Sequence, residues 1–260
     1  MFLIFAHQDY RFPTLEIFAA LFVVSILLTG SLNSYTITSP LGLAIAYSYA
    51  QLIFPITLLI FMIMIMKNVS IGFGGELDKG IIQTYFGYPL SRSRILLARL
   101  LSSVGLAILL FVLIQFMVLF MLARVFFVSN LSAFALLYLG IFGNALLITA
   151  VMLLIVSLTK RGTASFITVL LLYLLLGFSS DALTSYFSFN NNYTLLVATL
   201  ILNPLESFRP YYWAANGAKP VLVLWAPTFQ SIISVIAANY ILTAIVTGFC
   251  FLHFSRRLEI

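Results

Sequence analysis

Residues 41 to 66, LGLAIAYSYAQLIFPITLLIFMIMIM, form a run with no charged side chain that ends at Lys67. That is longer than the roughly 20 apolar residues a helix needs to cross the hydrocarbon core of a bilayer. Comparable runs recur at about 14–31, 95–122, 132–158, 163–178 and 229–252. Six such segments predict an all-α polytopic membrane protein, because spanning helices satisfy their own backbone polar groups in lipid. Composition agrees. Hydrophobic residues make up 63% of the chain and charged residues 8%, where a soluble domain carries about 25% charged residues. The 260 residues then form a single transmembrane domain, 1–260, with short loops and no room for a nucleotide-binding module.

The segments outside the spans set the orientation. Residues 1–12, MFLIFAHQDYRF, are too polar to span and too apolar for a free tail, and predict a helix lying in the interface. Pro13 turns the chain into the first span, with Glu16 at its inner end, and Pro55 predicts a kink in the second. The start lacks the basic stretch and cleavage site of a signal peptide, so the first helix is expected to be retained. Arg11, Lys67, Lys79, Arg92, Arg94, Arg99, Lys160, Arg161, Arg256 and Arg257 fall on one side, and Arg124, Arg209 and Lys219 on the other. This bias predicts a multi-pass cell-membrane protein with both termini cytoplasmic. It also explains the net charge of +6 without nucleic acid. Cys250 is the only cysteine, which excludes a disulfide within the chain.

Two segments between spans are informative. On the outer side, 179–228 contains NYTLLVATLILNP (192–204) and VLVLWAP (221–227). Both are too short to span, and they read as two short outer re-entrant helices or as a single packed loop. On the inner side lies GFGGELDKGIIQTYFGYPLSRSRILLARLL, residues 72–101. Gly74 and Gly75 read as breakers before a short amphipathic helix. Glu76 and Asp78 occupy its first turn, and Gly87 and Pro89 end it. Ser91 is placed to cap the next helix. An ordinary interfacial connector fits this pattern, and so does an element that passes a push from a soluble partner to a membrane helix.

Glu-Leu-Asp-Lys-Gly followed by Tyr-Pro-Leu-Ser-Arg and a Leu-rich helix resembles ABC transporter permeases of the type 2 exporter family. The matching positions are Glu76, Lys79, Gly80, Pro89, Ser91 and Arg92. The order of interfacial helix, six spans, coupling helix and outer helices resembles that family over most of the chain. The resemblance implies a dimer, a homodimer or a heterodimer, that binds separate cytoplasmic ABC ATPase subunits through its coupling helices. It assigns Glu76, Asp78, Lys79, Gly80, Pro89 and Arg92 to ATPase coupling, as contacts or as residues that hold the helix in place. It also implies a substrate path between protomers along the first, second and fifth spans. The chain has no GxxxxGK[ST] phosphate loop, so ATPase activity is expected on another subunit and none on this one. A second, shorter resemblance joins Asn203-Pro204 and Phe208-Arg209 to the NosY-type permeases, which serve copper-site maturation of nitrous oxide reductase. Pro204 would open a helix there, with Phe208 and Arg209 as anchors at the outer headgroups. A generic amphipathic anchor is the plainer account.

The remaining polar and sulfur-bearing residues suggest little chemistry. Met62, Met64, Met66, Met117 and Met121 carry thioethers suited to Cu(I) but read as packing. His7 and His253 are far apart in sequence, so no metal or cofactor is expected. Gln51, Gln115, Asn144 and Asn239 are the neutral polar groups within spans. They read as interhelical hydrogen bonds, or as lining for a polar translocation path. The lack of a charge near the middle of any span counts against a gradient-driven transporter. Asn130 and Asn192 begin glycosylation-type triplets. The expected function is the permease subunit of an ATP-driven exporter. A non-transporting membrane scaffold is the alternative, and a secondary transporter a weaker one. Membrane lipid, a second protomer and an extracytoplasmic partner complete the expected contacts.

Overall fold

The structure is a computed structural model that describes residues 2–11, 13–32, 55–81, 84, 91–213 and 222–257. It is an all-α polytopic membrane protein. Among the described residues, five helices are long and apolar enough to cross a bilayer, and six are if the bent pair at the N-terminus forms one span.

That pair is α1 (Phe2–Asp9) and α2 (Thr14–Leu32). The two meet at a 62° bend. Pro13 explains the bend: it has no N–H to continue α1, while its carbonyl accepts from the Ile17 N–H at 3.0 Å and starts α2. Phe2, Leu3 and Ile4 are exposed on α1, whereas Phe5 and Asp9 are buried. The helix therefore lies on the protein with one face and points outward with the other, as expected of an interfacial element.

The next helix, α3, runs as α-helix over Pro55–Met66, π-helix over Lys67–Gly74 and α-helix again over Gly75–Asp78. Residues 33–54 lie outside the described part, and with them Gln51 and the kink expected at Pro55. This helix runs past Lys67, where the apolar run predicts the end of the span, and Gly74 and Gly75 are not the breakers their position in the sequence suggests. Gly74 (φ −64°) and Gly75 (φ −68°) are helical. Gly74 is required by packing: a Cβ there would lie 2.9 Å from Gly162 Cα. The break comes at Gly80, whose φ is +68°. The Ile81 N–H bonds to the Glu76 carbonyl at 2.9 Å and the Gly80 N–H to the Leu77 carbonyl at 3.2 Å. This pair of bonds is a Schellman motif, which satisfies the last carbonyls of a helix. Glu76 and Asp78 therefore close α3 and do not open a coupling helix. Of the expected helix beyond them, Lys79, Gly80, Ile81 and Thr84 are described.

The third long helix, α4, runs over Arg92–Leu100, a π stretch at Leu101–Gly105, and Leu106–Ser129. Ser91 stands at its N-cap in extended conformation, but its side chain makes no capping bond; the Arg94 and Ile95 N–H groups bond to its backbone carbonyl. Helix α5 (Leu131–Thr159) ends in Lys160 at φ 54°, and α6 (Gly162–Phe189) follows at once. The apolar run predicts that the fifth span ends near residue 178, where polar residues interrupt it. It continues because Ser180 and Asp181 find partners, described below. Helix α7 (Tyr193–Leu202) is the short apolar helix expected in the outer region, with the Asn192 side chain accepting from the Leu195 N–H at its start.

The second short helix expected there is absent. Leu222–Trp225 is a strand, β2, paired antiparallel with β1 (Tyr211–Trp213). Pro220 and Pro227 leave too few residues between them for a stable helix, and β-branched and aromatic side chains suit a strand. Pro204–Phe208 forms a 3-10 turn opened by Pro204, and α8 (Phe229–Arg257) completes the chain.

The core is built around α5. Phe111 of α4 packs against Phe61 of α3, Phe22 of α2 and Tyr138 of α5, with ring centroids 4.5, 5.9 and 6.4 Å away. α8 lies along α5, where Cys250 Sγ donates to the Ala150 carbonyl at 3.3 Å and Tyr240 Oη to the Leu139 carbonyl at 3.1 Å. Met62, Met64 and Met66 are buried in this core.

Candidate functional site

α1, α3 and α4 converge where both α3 and α4 leave α-helical geometry. A π turn holds an extra residue and redirects backbone carbonyls and side chains. Here the Ser103 carbonyl accepts from Tyr10 Oη at 2.9 Å and from Asn68 Nδ2 at 3.4 Å. The same π stretches bury Asn68, Ser70, Ser102 and Ser103.

Arg99 lies at the centre, 3% exposed, with its Nη2 atom 3.1 Å from Asp9 Oδ1 and 3.3 Å from Glu76 Oε1. The other Asp9 oxygen, Oδ2, accepts from Ser102 Oγ at 3.1 Å and Ser103 Oγ at 3.0 Å. Lys67 Nζ donates to the Asp9 backbone carbonyl at 2.9 Å. The guanidinium carbon stands 5.0 Å from the centroid of the Phe5 ring, a cation–π distance. Arg99 Nε and Nη1 are buried with no hydrogen-bond partner among the described residues. Two acids and two bases thus form a compact group with no net formal charge. Burial raises the Asp9 carboxyl above its ordinary 3.8, against the opposing pull of Arg99 first and then of Ser103, Ser102 and Lys67. Burial, with the Asp9 charge beside it, also raises the Tyr10 phenol.

The cluster fastens the interfacial helix, the end of α3 and the start of α4 to one another. Glu76 sits in the last turn of α3, where the helix dipole opposes an acid, and Arg99 offsets that cost. α6 joins the same assembly through backbone contact. A Cβ on Gly162 would lie 2.7 Å from the Ser70 carbonyl oxygen and 2.8 Å from Gly75 N.

Of the residues expected to couple to an ATPase, Glu76 is largely buried and turned to Arg99, whereas Asp78 and Lys79 are exposed beside it. Gly80 makes the turn, Arg92 opens α4, and Pro89 lies outside the described residues. The sequence reading missed Asp9, Arg99, Ser102 and Ser103 as members of a site. One signal was available: Arg99 stands a turn inside an apolar run, where an ionisable residue needs a partner.

A second polar group lies where the C-terminal end of α7 meets Asn144, midway along α5, and the interiors of α6 and α8. Asn144 Nδ2 donates to Asn203 Oδ1 at 3.4 Å, and Asn203 Nδ2 to Ser180 Oγ at 3.0 Å. Asn239 Nδ2 donates to the Ile201 carbonyl at 2.8 Å. Asn144 and Asn239, two of the four expected path residues, therefore hold the tip of the re-entrant segment. Gln115 is buried in the protomer, 1% exposed. Around the hairpin, Trp225 Nε1 donates to the Ser207 carbonyl at 2.8 Å and Tyr211 Oη to Glu206 Oε2 at 2.8 Å. Arg209 Nη1 pairs with Asp181 Oδ1 at 2.7 Å. Phe208 is not the headgroup anchor expected of it: it is buried in the main core, 1% exposed, because the 3-10 turn points it inward.

Among the described residues, no group of three His, Cys, Asp or Glu side chains is placed to hold a metal ion. No protein-family model, curated protein or solved structure matches the chain.

Proposed function

We propose that this chain is the membrane-spanning permease subunit of an ATP-driven ABC exporter, a dimer whose ATP is hydrolysed by separate cytoplasmic subunits. The observation that carries the reading is the Asp9–Arg99–Glu76 cluster. It fastens the helix end just before the exporter-like segment 79–92 to the interfacial helix and to α4. A push on that segment reaches three helices at once, which is what coupling to a soluble motor requires. Asp78 and Lys79 are the contacts offered to the ATPase, while Glu76, Gly80 and Arg99 hold the helix end.

A second protomer has a surface to meet. Ile167, Leu171 and Leu175 form an exposed apolar stripe on α6, the fifth span of the expected topology. In this reading cargo passes between protomers. Asn144 and Asn239 are engaged and Gln115 is buried within the protomer, so these three do not line that path.

The test is to co-express the chain with the ATPase encoded beside it and assay hydrolysis in nanodiscs. Asp78→Ala with Lys79→Ala should weaken association. Glu76→Gln should preserve association but uncouple hydrolysis from cargo. Failure of every neighbouring ATPase to associate stably would leave the scaffold reading in its place.

A further inference from the structure

The ions at the α1 end do not cancel once Arg11 is counted with them. Asp9 and Glu76 are turned inward to Arg99. Lys67 is half-buried, and its ammonium gives one of its three protons to the Asp9 backbone carbonyl. Arg11 follows two residues after Asp9. It is exposed, and its guanidinium makes no hydrogen bond or ion pair among the described residues. Its charge acts on Lys67, next after those of Asp9 and Arg99. Two acids against Arg99, Lys67 and Arg11 leave one positive charge over. Glu16, exposed in the first turn of α2, pairs with neither outlying cation and is not among the charges that act on Lys67.

The junction of α1 and α2 sets the level of these two cations in the membrane. An exposed carboxylate does not face hydrocarbon, so the hydrocarbon begins beyond Glu16. Arg11 precedes Glu16 across the Pro13 bend and therefore lies outside it, on an interfacial helix that keeps it beside the membrane surface. Lys67 arrives from another span, directly after the apolar run 41–66. Its bond to the Asp9 carbonyl draws the ammonium to the level of α1. Both cations thus stand in the headgroup layer, roughly 5–8 Å thick on each side of the hydrocarbon.

The matching occupant is an anion of about one charge, with several acceptor oxygens, supplied at that level. A phospholipid phosphodiester has these properties. The fork of Arg11 suits two phosphate oxygens, and Lys67 adds a point charge. A headgroup with net negative charge is favoured, because the ammonium of phosphatidylcholine meets two like charges.

We infer that Arg11 and Lys67 bind the phosphodiester of an anionic phospholipid in the leaflet that holds α1. The inference needs only a membrane around the chain, so it stands or falls apart from the exporter reading.

The test uses the full chain, purified in a neutral detergent and titrated with phosphatidylglycerol or phosphatidylcholine. Native mass spectrometry counts the bound lipids. Phosphatidylglycerol should fill a saturable site several-fold more tightly than phosphatidylcholine. Arg11→Gln and Lys67→Gln should each weaken that site about fivefold, the factor for about 1 kcal/mol per basic side chain at a membrane surface. Arg11→Lys should keep most of the affinity. Lys160→Gln with Arg161→Gln removes two other exposed cations and should leave the site unchanged. An equal loss from that pair would overturn the proposal by reducing it to general attraction between positive charge and lipid. Binding that survives Arg11→Gln and Lys67→Gln together would overturn it too. So would displacement of the lipid by glycerol 1-phosphate at equal concentration, which would assign the cations to a soluble anion. Arg11 is exposed, so its glutamine variant decides the matter even if the Lys67 variant does not fold.

Discussion

Replacing Arg99 with leucine removes the one cation that both Asp9 and Glu76 touch. At an effective dielectric near 20, a unit charge pair about 4 Å apart gains about 4 kcal/mol of Coulomb attraction. Arg99 makes two contacts at 3.1 and 3.3 Å. Against this stands desolvation of several kcal/mol per buried ion, so the intact cluster contributes little net stability. Taking away only the cation keeps that cost and loses the attraction, which predicts a loss of about 3–5 kcal/mol at pH 7. The sign of the pH dependence follows. Buried carboxyls without their cation bind protons more strongly folded than unfolded, so the variant should regain stability as pH falls. The unsubstituted chain shows a weaker form of the same trend. Its Asp9 is raised above 3.8, so its share of stability declines as pH climbs from 3.8 through the raised value and then levels. Reversible unfolding in mixed detergent micelles, followed by circular dichroism, gives the free energies. The triple variant Asp9→Asn, Glu76→Gln, Arg99→Leu should recover most of the loss, because no charge is left stranded. A loss below about 1 kcal/mol for Arg99→Leu would refute the view that the cluster is a buried, mutually dependent unit. Failure of the triple variant to recover would refute it as well.

Three further outcomes are expected. Gly162→Val should cost about 1–3 kcal/mol in thermal unfolding, because its Cβ would meet backbone atoms at 2.7 and 2.8 Å that cannot yield without parting α3 from α6. Trp225→Phe removes the donor to the Ser207 carbonyl and should cost about 1–3 kcal/mol, with faster proteolysis of the hairpin as a local readout. Arg209→Gln breaks a pair whose side chains are 46% and 63% exposed, and unfolding should shift by less than about 1 kcal/mol.

The spans were legible because the bilayer imposes one requirement on all of them, and the apolar runs meet it without help from tertiary contacts. Their ends were not. The apolar run of the fifth span fails near residue 178, yet the helix continues to Phe189. Ser180 and Asp181 are answered by Asn203 and Arg209, more than twenty residues later. Gly74 looked like punctuation because a glycine pair before acidic residues is a common helix start. Its actual constraint is the backbone of Gly162, which no local pattern reveals. The strand at Leu222–Trp225 was misread for a related reason: a short apolar run has no period of its own, and its pairing with Tyr211–Trp213 decides its form. The charge cluster was half visible. Glu76 and Arg99 stand out as charges in the sequence, but only the fold brings them to Asp9 and joins an interfacial helix, a helix end and a span entrance.

The two polar groups of the molecule differ in kind, and the difference bears on which end can change state. At the re-entrant tip, Asn144, Asn203, Ser180 and Asn239 are neutral, so their bonds vary little with pH or nearby charge. Interhelical bonds of this sort are worth about 1 kcal/mol each and act by fixing position. At the α1 end, the bonds of Asp9, Lys67, Glu76 and Arg99 involve ions, and their energy is a small difference between large opposing terms. A charged surface pressed against Asp78 and Lys79 would act on Glu76 two residues away and, through Arg99, on Asp9. The α1 end is thus the part of the fold whose arrangement a docking partner can shift at low cost. The tip of α7, held by amides, is the part against which such a shift would be braced.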